Sequence, residues 1–100
     1  MSPKLTNHAK ERMKERAGLD KNGSLNLATK ALTEGLSHSD TQGQLRKYLD
    51  GLFLKHRNGN NIRIFAEKVF IFHNQTLITV FKLDKRLNKI AVKLMKRIAA

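Results

Sequence analysis

The sequence predicts an α+β fold, with N-terminal helices packed on a four-stranded antiparallel sheet and a basic helix at the C-terminus. In the first half of the chain, apolar residues recur every three to four positions, which is the helical period. Residues 52–81 are instead rich in β-branched and aromatic residues and are divided by short turn signals, as antiparallel strands are. The chain of 100 residues fits one domain, 1–100, with one modest core.

Helices are predicted before the sheet at residues 6–17, 25–34 and 44–50. Thr6 or Asn7 can cap the first helix, and Gly18 can end it. Ser24 and Gly35 bound the second in the same way.

Strands are predicted at residues 52–57, 62–65, 69–72 and 77–81. The short turns between them, such as the Asn-Gly-Asn-Asn sequence at 58–61, favour an antiparallel meander. Residues 69–72 are apolar at every position, so both faces of the sheet must be covered. Asp84 then caps a last helix over 85–98, which is apolar on one side and lysine-rich on the other.

The charge of the chain points to a polyanionic partner. Lysine and arginine number 20 and acids 8, which gives a formal charge of +12. Residues 68–100 hold eight of these cations against one acid, Asp84, and so carry +7. The commonest polyanion in a cell is nucleic acid, and we expect the protein to bind it, although charge alone does not distinguish RNA from DNA.

Several classes of protein are disfavoured by composition. There is no cysteine, hence no disulfide framework, thiolate metal site or cysteine nucleophile. The four histidines are dispersed, without carboxylates at metal-ligand spacing, so we expect no metal and no cofactor. No secretory signal or membrane-spanning run is present, which predicts a cytoplasmic protein without membrane contact.

Three groups of side chains are candidates for function. On the first helix, His8, Arg12 and Arg16 recur every four residues and border the apolar ridge. Guanidinium groups match phosphate oxygens, and imidazole transfers protons near neutral pH, so this stripe is a candidate catalytic site. The alternative is that the arginines pair with Glu11, Glu15 or a nearby backbone carbonyl and only border the core.

The second group is basic and lies where the predicted hairpin of 52–57 and 62–65 begins. Lys55 and Arg57 share one face of the expected strand and His56 the other, with Arg63 across the turn. These cations either bind phosphate or protect an edge strand from aggregation. Thr79, a polar residue in an apolar strand, is either a satisfied core hydroxyl or a group that faces a cleft.

The third group follows the last strand and continues along the last helix. Its members are candidate nucleic-acid contacts: Lys82, Lys85, Arg86, Lys89 and Lys93. Few acids accompany them, which favours a phosphate-binding surface over a salt-bridged one. A membrane-surface helix is disfavoured because the chain has no tryptophan and the apolar side is needed for the core.

The opening segment His8-Ala9-Lys10-Glu11-Arg12-Met13-Lys14-Glu15-Arg16 resembles the H-A-x-x-R-M-x-x-R start of small RelE-like families. The strand at 62–65 and the hairpin at 69–81 are similar to their C-terminal sheet, so the resemblance to the barnase–EndoU–colicin–RelE-like nuclease fold spans residues 5–83. It implies a metal-independent ribonuclease, often a toxin with an acidic antitoxin or a mobile-element protein. It also implies catalytic roles for His8, Arg12, Arg16, Arg63 and Thr79.

The chain departs from that family in its long segment between Gly18 and Leu52 and in its lysine-rich last helix. Two alternatives to the nuclease therefore stay open. One is a non-catalytic phage or mobile-element protein that binds nucleic acid or blocks a host nucleic-acid machine, as anti-defence proteins do. The other is a ribosome-associated protein whose charge only neutralises RNA.

Overall fold

The computed structural model describes residues 3–99. Its helices are α1 (Asn7–Ala17), α2 (Lys21–Glu34), α3 (Gly43–Lys55) and α4 (Lys85–Ala99), with one turn of 3-10 helix at His38–Asp40. Its strands are β1 (Lys4–Leu5), β2 (Asn61–Phe65), β3 (Lys68–His73) and β4 (Thr76–Lys82). The sheet has the order β1-β4-β3-β2, in which β2, β3 and β4 are antiparallel and β1 runs parallel to β4. The predicted α+β fold class is confirmed.

The expected strand at residues 52–57 is wrong. Residues 52–55 form the last turn of α3, and His56 is the C-cap of that helix. Leu45, Leu49 and Leu52 are buried at helical spacing, so burying them together requires that the helix continue. The fourth strand of the sheet is instead the two-residue β1, and the turn after His56 joins a helix to a strand.

The helix boundaries follow their caps. The Thr6 hydroxyl accepts a hydrogen bond from the backbone N–H of Ala9, and Gly18 ends α1 in the left-handed region with a φ of 65°. The second helix begins earlier than predicted, because the carboxylate of Asp20, rather than Ser24, accepts from the Gly23 N–H. Gly35 is the C-cap of α2, as predicted.

Helices cover both faces of the sheet. Phe70 and Phe72 of β3 point to one face, where they pack with buried residues of α1 and α2 such as Met13. Val69 and Ile71 point to the other face, where they pack with residues of α3 and α4. The prediction that both faces are covered is confirmed, and the core is therefore two apolar layers separated by the sheet. No helix among residues 3–99 is long and apolar enough to cross a membrane.

Most of β4 is an open edge of the sheet. The short strand β1 pairs only with Thr76 and Leu77. Ile78 then forms a bulge, since Phe72 pairs with Leu77 while Ile71 pairs with Thr79. Beyond this bulge, backbone groups of β4 face α1 instead of another strand.

A matched pair of glycine substitutions tests this packing. A Cβ on Gly59 would lie 2.4 Å from Cγ2 of the buried Ile71, whereas a Cβ on Gly51, which is exposed in α3, meets nothing within 4 Å. Gly59→Ala should lower the free energy of unfolding by about 1–3 kcal/mol. Gly51→Ala should raise it by about 0.5–1 kcal/mol, because alanine is the better helix former. Urea denaturation measures both, and equal effects would contradict the described path of the 57–60 turn.

Candidate nucleic-acid interface

A groove of about 420 Å³ crosses the open edge of β4 between α1 and the C-terminal half of α3. Its lining residues come from three elements: His8, Arg12 and Arg16 from α1, Tyr48, Leu52, Lys55 and His56 from α3 and its cap, and Thr79 and Phe81 from β4. None of these lining residues is an acid. The groove, which we call the edge groove, is therefore an electropositive concavity suited to an anion.

The α1 wall of the edge groove is the predicted stripe of histidine and arginine. Arg12 Nε donates a long hydrogen bond of 3.4 Å to His8 Nε2. Arg12 Nη1 also contacts Glu15 Oε2 at 3.3 Å, in a solvent-exposed ion pair. Such pairs contribute about 0–1 kcal/mol, so Arg12 loses little if it turns toward a phosphate instead. Arg12 thus has the acidic partner that the alternative interpretation named and also lines the groove, while its catalytic role stays a prediction.

Arg16 holds the edge of the sheet. Its Nη1 donates to the carbonyl oxygen of Val80 at 3.3 Å. A carbonyl on an open strand edge would otherwise face only water or another chain. The guanidinium has further donors, so it can bind the strand edge and still present positive charge to the groove.

The α3 wall contributes His56, which the sequence analysis placed in the second basic group and not among the catalytic candidates. The backbone N–H of His56 donates to the Leu52 carbonyl at 2.7 Å. Its ring stacks on Phe81, with centroids 6.1 Å apart and planes at 27°. Alternation along a strand would have separated His56 from Lys55, but at the end of a helix both line the groove. The sequence feature that could have predicted this wall is the spacing of Tyr48, Leu52 and Lys55, which are four and three residues apart and so share one face of a helix.

Tyr48 marks the end of the edge groove that approaches α4. Its partial burial raises the pKa of the phenol, and the negative charge of Asp84, just before α4, raises it further. The predicted contacts at the end of β4 and on α4 are all exposed but do not line the groove: Lys82, Lys85, Arg86, Lys89 and Lys93. They belong to a second basic surface, separate from the edge groove.

Arg63 is the predicted catalytic residue that does not line the edge groove. It lies on β2, which β3 separates from β4. Its Nη1 donates to the Gly35 carbonyl at 3.4 Å and its Nε to Asn61 Oδ1 at 3.1 Å. Since residues 52–55 belong to α3 and His56 and Arg57 follow it outside any strand, no hairpin gathers Arg63 with Lys55 and Arg57. Its contacts connect β2 to the end of α2.

Comparison of the chain with family models, curated proteins and solved structures gives no match. The resemblance to RelE-like nucleases therefore stays a prediction. Among residues 3–99, no three or more histidine, cysteine, aspartate or glutamate side chains are grouped so that they could hold a metal ion. The polar side chains that line the edge groove supply imidazole, guanidinium, ammonium and hydroxyl groups.

Titration of Tyr48 tests the position of Asp84. This residue is the only tyrosine and the chain has no tryptophan, so tyrosinate absorbance reports it alone. Its midpoint should lie above the usual pKa of 10.0, and Asp84→Asn should lower it only in part, because burial is the larger cause. Glu34→Gln, on α2, is the matched control and should leave it unchanged.

The sign of the linked stability follows from the same shift. Below the pKa that Tyr48 has in the unfolded chain, its phenol is neutral in both the folded and the unfolded state. As the pH rises above that value, the phenol ionises first in the unfolded chain, so Tyr48 lowers the free energy of unfolding. A titration midpoint of Tyr48 at or below 10.0 in the folded protein would contradict the described environment, and so would a midpoint that Asp84→Asn leaves unchanged.

Proposed function

We propose that this protein binds RNA and cleaves it without a metal ion, with the edge groove as its active site. The observation that carries the proposal is that two imidazoles, His8 and His56, line one groove together with Arg12, Arg16 and Lys55. A pair of proton-transferring groups beside fixed cations is what phosphodiester transesterification requires. The requirement for a ribose 2′-hydroxyl makes RNA, not DNA, the substrate.

The reaction that fits these groups is an intramolecular transesterification. A base removes the proton of the 2′-hydroxyl as its oxygen attacks the adjacent phosphorus. The bond from phosphorus to the 5′-oxygen then breaks, and an acid gives that oxygen its proton. The products are a 2′,3′-cyclic phosphate and a free 5′-hydroxyl, without any redox step. Arg12 and Arg16 stabilise the charge that builds on the phosphate oxygens.

The hydrogen bonding of His8 favours it as the base. A guanidinium nitrogen can only donate, so the contact from Arg12 requires a free lone pair on His8 Nε2. A phosphate that draws Arg12 away leaves this nitrogen free to accept the 2′-hydroxyl proton. His56, on the α3 side of the groove, is then the acid, and stacking on Phe81 orients its ring.

Surface charge supplies affinity in this proposal. The exposed cations of α4 have few acidic neighbours and add attraction for phosphate that does not depend on sequence. The same surface supports the alternative of a binder without activity, which the cleavage assay below separates from the nuclease. The α1 motif that resembles RelE-like nucleases favours cleavage, since His8, Arg12 and Arg16 of that motif line the groove. An acidic antitoxin or host partner stays a prediction from that resemblance.

Cleavage of RNA in excess chelator tests the proposal. The native protein should release a 2′,3′-cyclic phosphate with a bell-shaped pH–rate profile. His8→Ala and His56→Ala should each lower the rate by about 10²–10⁴-fold. His38→Gln is the control, because His38 pairs with Asp50 outside the groove.

The pH profiles of the variants separate the two roles. A base must be unprotonated, so His8→Ala should remove the acidic limb of the profile. An acid must be protonated, so His56→Ala should remove the alkaline limb. RNA that is bound but stays intact at high protein concentration would refute the nuclease, and an equal loss in His38→Gln would refute the assignment of the site.

A further inference from the structure

The edge groove does not end at His56. A second concavity of about 330 Å³ shares Lys55 and His56 with it and continues along Arg57, Asn58, Gly59 and Ile78. A third, of about 300 Å³, shares Arg57 and Asn58 with the second and reaches His73. Because neighbouring concavities share residues, the three lie side by side along one surface from Arg16 to His73, and we call this row of concavities the channel.

The far part of this channel holds cations without acidic partners. The ion pairs found within residues 3–99 are Arg12–Glu15 and His38–Asp50, and neither involves Lys55 or Arg57. Arg57 is exposed, and no acid is among the residues that line these two concavities. An anion at Arg57 would therefore displace no carboxylate from it.

A rigid backbone holds this second cationic position in place. His73 Nδ1 lies 2.9 Å from the Asn58 carbonyl oxygen, and because a carbonyl can only accept, Nδ1 carries the proton. The Asn60 amide donates to Asn74 Oδ1 at 2.9 Å and accepts from the Asn74 N–H at 2.7 Å. These bonds fasten the turn after α3 to the turn between β3 and β4. His73 Nε2 is left without a role in this clamp and is available to a ligand.

We infer that the channel holds single-stranded RNA with at least two consecutive phosphates, one between His8 and His56 and the next at Arg57 and His73. This inference rests on the proposed function for the first position and adds the second. A polymer with regularly spaced charges is the ligand that matches two cationic positions joined by one groove. A free mononucleotide would occupy only one of them.

The strand must be single for two reasons. In-line attack by the 2′-oxygen requires the linkage to leave the geometry that an A-form helix imposes, and productive alignment carries much of the rate. Unpaired bases also stack on aromatic surfaces. The channel offers Tyr48 at one end and the stacked rings of His56 and Phe81 near its middle.

Binding of a 2′-O-methyl oligoribonucleotide, which cannot be cleaved, tests the inference by fluorescence anisotropy over a range of salt concentrations. For a single strand, the slope of log K against log salt changes by about 0.7 for each phosphate contact. Arg57→Ala should therefore reduce the slope by about 0.7. Lys30→Ala, which removes one exposed charge from α2, is the matched control and should leave the slope close to that of the native protein.

The perfect duplex of the same sequence is the second ligand. One stacked base is worth about a factor of ten or more, so the single strand should bind at least about tenfold more tightly. An unchanged slope in Arg57→Ala, or equal affinity for the duplex, would overturn the inference. If the expected slopes appear but unmodified RNA stays intact, the second phosphate position stands and the proposed cleavage fails.

Discussion

The attachment of α1 to the open edge of β4 is the constraint on which the rest of this structure depends. At the start of α1, the Thr6 hydroxyl caps the helix and donates to the Ile78 carbonyl at 3.2 Å. At its end, Arg16 donates to the Val80 carbonyl. Each bond contributes only about 0.5–1.5 kcal/mol, but the two fix both ends of one helix to one strand. His8 and Arg12, between these anchors, are consequently held over the strand edge opposite α3.

In this arrangement, the cationic side chains beside β4 both protect the strand edge and give the groove its positive charge. An open strand edge invites pairing with other chains, and side-chain donors such as Arg16 block it. The same donors, with Lys55 from α3, make the groove electropositive. The first turn of α4 begins with Lys85 and Arg86, against the preference of the helix dipole, and the carboxylate of Asp84 just before it accepts from the Arg86 N–H at 2.8 Å.

Local pattern was enough to predict most of the fold. The Thr6 and Gly18 caps, the strands β2 to β4 and the stripe on α1 each follow from a period or a turn that a few residues encode. The strand at 52–57 was wrong because a run of three apolar residues fits either structure, and the solvent-exposed Leu54 (75%) obscures the helical period. The two-residue β1 carries no pattern of its own, and its Lys4 pairs with Thr76, which lies 72 positions further along the chain.

The same distinction separates the site residues that could be predicted from those that could not. His8, Arg12 and Arg16 share a helix face, whereas His56 and Tyr48 join them only through the packing of α3 against β4.

An NMR titration tests this site most directly. The histidine ring signals of the protein are recorded as non-cleavable single-stranded RNA is added. We expect the ring signals of His8, His56 and His73 to shift together while that of His38 stays in place. Shifts that leave His8 and His56 unmoved at saturation would contradict it.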